Sequence, residues 1–226
     1  MITKIDKNDI IGNKKEGSTL VKPLEQIIIK TLLPVIPKFI HTSHLTLASL
    51  VLSFLIIIVS FLARNNYNWL WLTSIIMLSQ AVTDMLDGEV GRKRNTGLVY
   101  WGFYMDHFLD YVFTSAIILG YIIIFPQYVF VFLIAFFTMA GFFFHESQRC
   151  IIFGKYNVTG YYGFGATELR IILVLINTYI IFFGSVKVIY LLVAFVITIS
   201  ISLIVRVYKT QKELWKIDLK NKKNEK

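Results

Sequence analysis

The sequence contains 226 residues, of which 56% are hydrophobic and only 16% are charged, and its mean hydropathy is +0.64. A soluble domain carries about 25% charged residues to cover its surface, so this chain lacks the residues for a water-facing shell. The composition excludes a disordered, collagen-like or disulfide-rich protein and argues against an ordinary soluble enzyme. It predicts an integral membrane protein.

The first 40 residues precede any membrane span. Residues 1–22 are polar and basic, and we interpret them as a cytoplasmic segment. Over residues 23–40, apolar side chains recur on one helical stripe: Leu24, Ile28, Leu32 and Ile36. This pattern predicts an amphipathic helix in the membrane interface, ended by Pro34 and Pro37. A helix that plugs the end of the bundle would fit the same pattern.

Six hydrophobic segments follow, separated by charges or by a proline. They cover residues 45–63, 65–83, 98–125, 128–144, 171–186 and 188–205. Each approaches the roughly 17–25 residues that a helix needs to cross the hydrocarbon layer, and the alternation typical of a barrel is missing. The prediction is an all-α polytopic fold with six transmembrane helices over residues 41–208, followed by a basic cytoplasmic tail at 209–226.

The positive charges predict the orientation. Of the 23 Lys and Arg residues, 21 lie before the first span, after the sixth, or in the loops between spans two and three and spans four and five. The other two, Arg64 and Lys187, lie on the opposite side. By the positive-inside rule both termini are cytoplasmic. The net charge of +9 therefore reflects topology and predicts no nucleic-acid partner, although the tail could contact anionic lipids.

Four aspartates lie within 27 residues where span two ends and span three begins. Asp84 and Asp87 are three residues apart, and Asp106 and Asp110 are four apart, so each pair shares a helix face. A short connection brings the two helices back antiparallel, so the four carboxylates can converge. Acidic residues in a membrane segment are costly and indicate a functional site.

Four converging negative charges require compensation. Two unit charges about 4 Å apart repel by roughly 4 kcal/mol at an effective dielectric constant near 20. Arg92 can offset one charge and protonation another. The most economical compensation is a pair of divalent cations, and oxygen ligands favour Mg²⁺ or Mn²⁺. The sequence thus predicts a site for about two such ions, on the cytoplasmic side.

Glycines border the four aspartates. Gly88 and Gly91 follow Asp87, and Gly102 begins the stripe that contains Asp106. Such glycines can serve helix packing alone, but three of them beside a carboxylate cluster indicate a surface where a ligand approaches the backbone. Arg92 completes this set, because its planar guanidinium suits phosphate.

In chain order these residues form Asp84-x-x-Asp87-Gly88-x-x-Gly91-Arg92, nine residues, and then Gly102-x-x-x-Asp106-x-x-x-Asp110. The pattern closely resembles the signature of the CDP-alcohol phosphotransferase family, D-x-x-D-G-x-x-A-R followed by G-x-x-x-D-x-x-x-D. Two departures are that Gly91 replaces the usual alanine and that the spacer is one residue longer. The six-span layout extends the resemblance loosely over most of the chain.

The resemblance implies a membrane enzyme that transfers a phosphoalcohol group from a CDP-alcohol to a second alcohol and releases CMP, in phospholipid synthesis. It further implies metal ligands at Asp84, Asp87 and Asp106, with Asp110 at the second metal or acting as base. Gly88, Gly91, Arg92 and Gly102 would line the CDP pocket. Membrane lipids and a second copy, in a homodimer, are the partners it suggests.

The resemblance leaves two substrate classes open. The reading we favour takes CDP-diacylglycerol and a small alcohol, and a phosphorylated acceptor would need cations such as Arg149, Lys155 or Arg170. These three are also ordinary positive-inside residues, and Glu146 is spaced to pair with Arg149. In this reading the transferred group is phosphatidyl.

The alternative is an aminoalcohol phosphotransferase that uses CDP-choline or CDP-ethanolamine and diacylglycerol. His107 directly follows Asp106, similar to the Asp-His pair of that branch, and the resemblance makes His107 a candidate base beside Asp110. His145-x-x-Gln148 and Thr167-Glu168 are loosely similar as well. The segment 154–165, rich in Tyr and Gly, is predicted to be a loop that covers the acceptor site.

Two other classes use acidic membrane sites. A cation transporter would need a path through the midplane, whereas these carboxylates lie at one interface. An intramembrane prenyltransferase also binds diphosphates through aspartates and metals, but its two motifs lie on well-separated helices. Both classes are therefore less favoured than the transferase.

Overall fold

The structure is a computed structural model that describes residues 21–153, 166–184 and 187–224. The described residues form seven α-helices and no strand. The helices are α1 (Lys22–Leu32), α2 (Thr42–Asn65), α3 (Leu70–Lys93), α4 (Val99–Ile124), α5 (Val129–Phe153), α6 (Ala166–Phe183) and α7 (Val188–Asn224). Short 3-10 turns at Tyr67–Trp69 and Pro126–Tyr128 lead into α3 and α5.

Helices α2 to α7 are long and apolar enough to cross a membrane, which confirms the predicted six-span, all-α fold. The span boundaries differ in detail from the prediction. Helix α5 continues to Phe153, beyond the predicted end at 144, and α6 begins at Ala166, before the predicted start at 171. In both cases the helix contains charged residues that were assigned to loops.

Helix α2 packs against both α3 and α4. Its buried face is a stripe of mostly small or hydroxyl-bearing residues with spacings of three and four: Thr42, Thr46, Ser49, Ser53, Ile56, Ser60 and Ala63. Several of these hydroxyls donate to the carbonyl four residues earlier, as Ser60 does to Ile56. Small side chains allow neighbouring backbones to approach. Gly120 of α4 uses this space, since a Cβ there would lie 2.5 Å from Ser60 Oγ.

A buried hydrogen-bond chain joins α3, α4 and α6. Tyr121 Oη donates to Asn177 Oδ1 at 2.7 Å, and Asn177 Nδ2 donates to Ser74 Oγ at 3.0 Å. All three side chains are buried. Because lipid offers no alternative partner, each lost bond would leave a polar group unsatisfied in the bundle. These hydrogen bonds therefore fix the arrangement of α3, α4 and α6, which carry the candidate site.

Helix α7 extends well beyond one membrane span. Its 37 residues correspond to about 55 Å, against about 30 Å of hydrocarbon. The segment predicted as a separate basic tail thus continues the last transmembrane helix as far as Asn224. Arg206 contacts Glu146 of α5 at 2.8 Å, so the base of this extension is joined to the end of α5.

The prediction that Glu146 pairs with Arg149 is wrong in this structure. Glu146 accepts from Arg206, while Arg149 donates to Thr210 at 2.8 Å. Arg149 also lies 3.8 Å from Glu213 and over the ring of Phe153. Contacts between helices replace the contact within one helix, because α5 and α7 run side by side through this region.

Helix α1 lies against the end of α3. It ends before Pro34, and the residues from 33 to 41 form turns instead of more helix. None of its residues is buried, and its exposed apolar side chains include Leu24 and Ile27. An exposed apolar face on a helix beside the spans suits the predicted position in the membrane interface.

Candidate active site

The four aspartates lie on α3 and α4, the helices joined by residues 94–98, at one end of the bundle that we call the acidic end. Asp84 and Asp87 occupy the last three turns of α3, and Asp106 and Asp110 the first half of α4. Asp87 is buried, Asp84 and Asp110 each expose 24% of their side chains, and Asp106 exposes 41%. The environments of the four carboxylates therefore differ.

Asp84 and Asp110 meet at one guanidinium. Arg170 of α6 donates from Nη1 to Asp84 Oδ2 at 3.3 Å and from Nη2 to Asp110 Oδ1 at 2.8 Å. Only 5% of the Arg170 side chain is exposed, and its guanidinium lies over the ring of Phe113. The predicted convergence of α3 and α4 carboxylates is thus present for this pair, with an arginine from a third helix between them.

From the sequence, Arg170 is predicted only as a cation for a phosphorylated acceptor or as a topology signal. The structure places it in the first turns of α6, buried and bound to two of the signature aspartates. Arg92, which was expected to offset one of these charges, instead pairs with Glu89 at 2.6 Å and exposes 69% of its side chain. The charge compensation of the site therefore comes from Arg170.

Asp87 faces α2. Its Oδ2 accepts a hydrogen bond of 2.6 Å from Thr46 Oγ1, while its Oδ1 is buried and has no hydrogen-bond partner among the residues that the structure describes. A buried carboxylate oxygen without a partner is costly, and such atoms are often reserved for a ligand. Thr46 belongs to the small-residue stripe of α2 and was not identified from the sequence as part of the site.

His107 has a defined hydrogen-bond partner. Its Nδ1 lies 2.7 Å from the carbonyl oxygen of Phe103, one turn earlier, and 3.8 Å from Asp106 Oδ2. A carbonyl oxygen can only accept, so Nδ1 carries a proton. In the neutral imidazole Nε2 then has the lone pair and can accept a proton.

The three signature glycines have different surroundings. A Cβ on Gly91 would lie 3.1 Å from Thr42 Oγ1, so this glycine allows close packing of α3 on α2. Apart from the local helix backbone, no atom of the described residues lies within 4 Å of the Cβ position of Gly102, and among them the Arg92 guanidinium alone approaches that of Gly88. Gly88 and Gly102 thus leave space beside the helix backbone, whereas Gly91 is used for packing.

The chemistry of the donors suits a hard divalent cation, since carboxylate oxygens are the preferred ligands of Mg²⁺ and Mn²⁺, and Asp87 Oδ1 is available for one. However, no three His, Cys, Asp or Glu side chains in the described part of the chain lie close enough to hold one ion together. The ligand types fit, but a complete ligand set would require side chains to rearrange, including those now held by Arg170.

The pair Thr167-Glu168, which is similar to the aminoalcohol branch, contacts the segment that begins α1. Thr167 donates to Glu25 at 2.8 Å, and the buried Glu168 accepts from the Val21 backbone at 3.1 Å, so this pair ties α1 to the start of α6. Lys155 and the predicted covering loop at 154–165 lie outside the described residues.

The other end of the α1 segment is tied to the end of α3. Arg94 donates to the carbonyls of Pro37 and Lys38, and Lys93 to that of Leu33. The segment from Val21 to Lys38 therefore contacts the start of α6 at one end and the end of α3 at the other.

A comparison with protein families finds that the model described as CDP-alcohol phosphatidyltransferase matches residues 39–200, well over half of the chain. The match includes the two pairs of aspartates and Arg170. No curated protein and no solved structure gives a match.

Proposed function

The chain belongs to the CDP-alcohol phosphatidyltransferase family, and on that premise we propose that it transfers the phosphatidyl group of CDP-diacylglycerol to a small alcohol, with Mg²⁺ or Mn²⁺, and releases CMP. At the level of the family it is an integral membrane transferase of lipid synthesis that uses a CDP-alcohol donor and an alcohol acceptor. The observation that carries the finer proposal is the meeting of Asp84 and Asp110 from the two halves of the signature.

The proposed metal ligands are Asp84, Asp87 and Asp106, with Asp110 at a second ion. Their oxygen donors and the unpartnered Asp87 Oδ1 support this assignment. Bound cations would polarise the donor diphosphate and stabilise the negative charge on the departing CMP. The protein holds α3 and α4 in position through their packing on α2 and through the buried hydrogen bonds that join Tyr121, Asn177 and Ser74.

The proposed reaction forms one P–O bond and breaks another. The acceptor hydroxyl oxygen attacks the phosphorus that bears the lipid alcohol, and the bond from that phosphorus to the CMP oxygen breaks with its electron pair. The hydroxyl proton passes to a base, for which His107 Nε2 is the better prepared candidate. Asp110 is the other candidate: its Oδ1 accepts from Arg170, and the carboxylate keeps further lone pairs that could take the proton.

The proposed CDP pocket lies beside Gly88 and Gly102, where backbone is accessible. Arg92 is exposed on the same end of α3 and could exchange its contact with Glu89 for a donor phosphate. Gly91 supports the pocket indirectly, by holding α3 close to α2. The distribution of Lys and Arg places this site on the cytoplasmic side in our proposal, where nucleotides are available.

The experiment that tests the substrate class compares donors. Purified protein in lipid-detergent micelles would be given CDP-diacylglycerol with a panel of small alcohols, or CDP-choline or CDP-ethanolamine with diacylglycerol, and CMP would be measured. We expect release with CDP-diacylglycerol. Release only with the second donors would instead assign the aminoalcohol reaction, and the absence of CMP with every donor would favour a cation transporter.

A further inference from the structure

Arg170 is a buried cation in the centre of the acidic end. Both terminal nitrogens of its guanidinium are used, one on Asp84 and one on Asp110. These aspartates come from different helices, and Arg170 comes from a third. The contact compensates two carboxylates that would otherwise repel each other in a setting with little water.

The same two carboxylates are required by the proposed function as metal ligands. A cation bound to Asp84 or Asp110 would lie within a few ångströms of the guanidinium, because Mg²⁺ binds oxygen at about 2.1 Å. Two positive groups at that separation repel each other strongly where water is scarce. Occupation by a divalent ion and the present position of Arg170 therefore oppose one another.

We propose that Arg170 acts as the counter-ion of Asp84 and Asp110 and competes with the divalent cation for them. It thereby weakens cation binding to the enzyme without substrate. This inference rests on the proposed metal-dependent function. The consequence is that cation binding is favoured once a diphosphate arrives, since the negative phosphates compensate both the ion and the displaced guanidinium. In this role Arg170 is a positioning residue.

The test measures binding of Mn²⁺ alone, without substrate, from the electron paramagnetic resonance signal of free Mn²⁺. The protein would be the purified full chain in detergent, as wild type, Arg170→Gln and Arg206→Gln. Arg206 is the matched control, because it too is a largely buried arginine in a 2.8 Å ion pair between two helices, with Glu146. The melting midpoint of each variant would be recorded with and without Mn²⁺.

We expect Arg170→Gln to bind Mn²⁺ at least about tenfold more tightly than wild type, since the competing charge is gone. Its metal-free form should melt earlier, because two carboxylates lose their partner, and Mn²⁺ should restore the midpoint. Arg206→Gln should lower the melting midpoint and leave Mn²⁺ affinity unchanged. A purely structural role for Arg170 would give the same pattern as this control.

Arg170→Lys provides the second variant in case the glutamine protein does not fold. Lysine keeps the positive charge, but its single ammonium group does not bind both carboxylates as the planar guanidinium does. Mn²⁺ affinity should therefore rise by a smaller factor. Equal or weaker affinity in the folded Arg170 variants, with cation binding intact in wild type, would overturn this proposal alone. If neither wild type nor the folded Arg170 variants bind Mn²⁺, with or without a CDP-alcohol, the metal-dependent function falls together with it.

Discussion

Replacing Asp87 with asparagine is expected to lower CMP release by at least about 10³-fold, because loss of a metal ligand removes several kcal/mol of charge stabilisation from the transition state. The stability of the protein should not fall in parallel. Asp87 Oδ1 is buried and has no partner in the described part of the chain, and an unpaired buried charge opposes folding. Asparagine has the same shape, carries no charge and can still accept from Thr46. We therefore expect a melting midpoint equal to or above that of wild type.

Asp218→Asn is the matched control for this prediction. It makes the same chemical change on the exposed extension of α7, far along the chain from the signature, and should leave both activity and melting unchanged. An Asp87→Asn protein with activity close to wild type would contradict the assignment of this carboxylate. A large loss of both activity and stability would show that Asp87 is needed for the stability of the fold and not specifically as a metal ligand.

His107→Gln is expected to lower the rate of CMP release by about 10²–10⁴-fold, the range associated with loss of a general base. Glutamine can still donate a hydrogen bond, but it cannot take up the acceptor's proton. Binding of the CDP donor should change little, since the base acts on the acceptor hydroxyl. The measurement is the rate at saturating donor, together with the affinity for CDP.

His44→Gln serves as the histidine control. His44 is exposed and accepts from the His41 backbone at the start of α2, where it has no assigned part in the reaction. A His107→Gln enzyme that keeps most of its rate would assign the proton to Asp110 instead. That result would leave the transferase reaction itself intact.

The membrane spans were predictable from charge gaps because lipid-facing helices exclude charge. The same rule explains why the predicted spans end too early in α5 and begin too late in α6. Glu146 and Arg170 lie inside helices because each has a charged partner on another helix. A single sequence does not reveal such pairing, so the rule assigns these residues to loops and shortens the spans.

The candidate site was predicted in part. The spacing of Asp84, Asp87, Asp106 and Asp110 predicts two carboxylate pairs that converge from adjacent helices. The structure has all four on α3 and α4; Asp84 and Asp110 meet at Arg170, whereas Asp87 contacts Thr46 of α2. Thr46 was not identified, and Arg170 was predicted as a cation for a phosphorylated acceptor but not as the partner of Asp84 and Asp110. Both residues are distant in sequence from the aspartates, on α2 and α6. The polar residues at spacings of three and four in α2 were a usable signal for Thr46, since a lipid-facing stripe would not be polar. Arg170 had no comparable signal.

We propose that this membrane protein is a divalent cation-dependent CDP-alcohol transferase. The most direct test is CMP release from CDP-diacylglycerol and the accepted alcohol by purified protein, before and after EDTA, with Asp84→Asn as the inactive control. We predict release that stops with the chelator, returns with Mg²⁺ or Mn²⁺, and is absent in Asp84→Asn. Release that persists in EDTA, or that Asp84→Asn retains, would contradict a divalent cation-dependent reaction at this site.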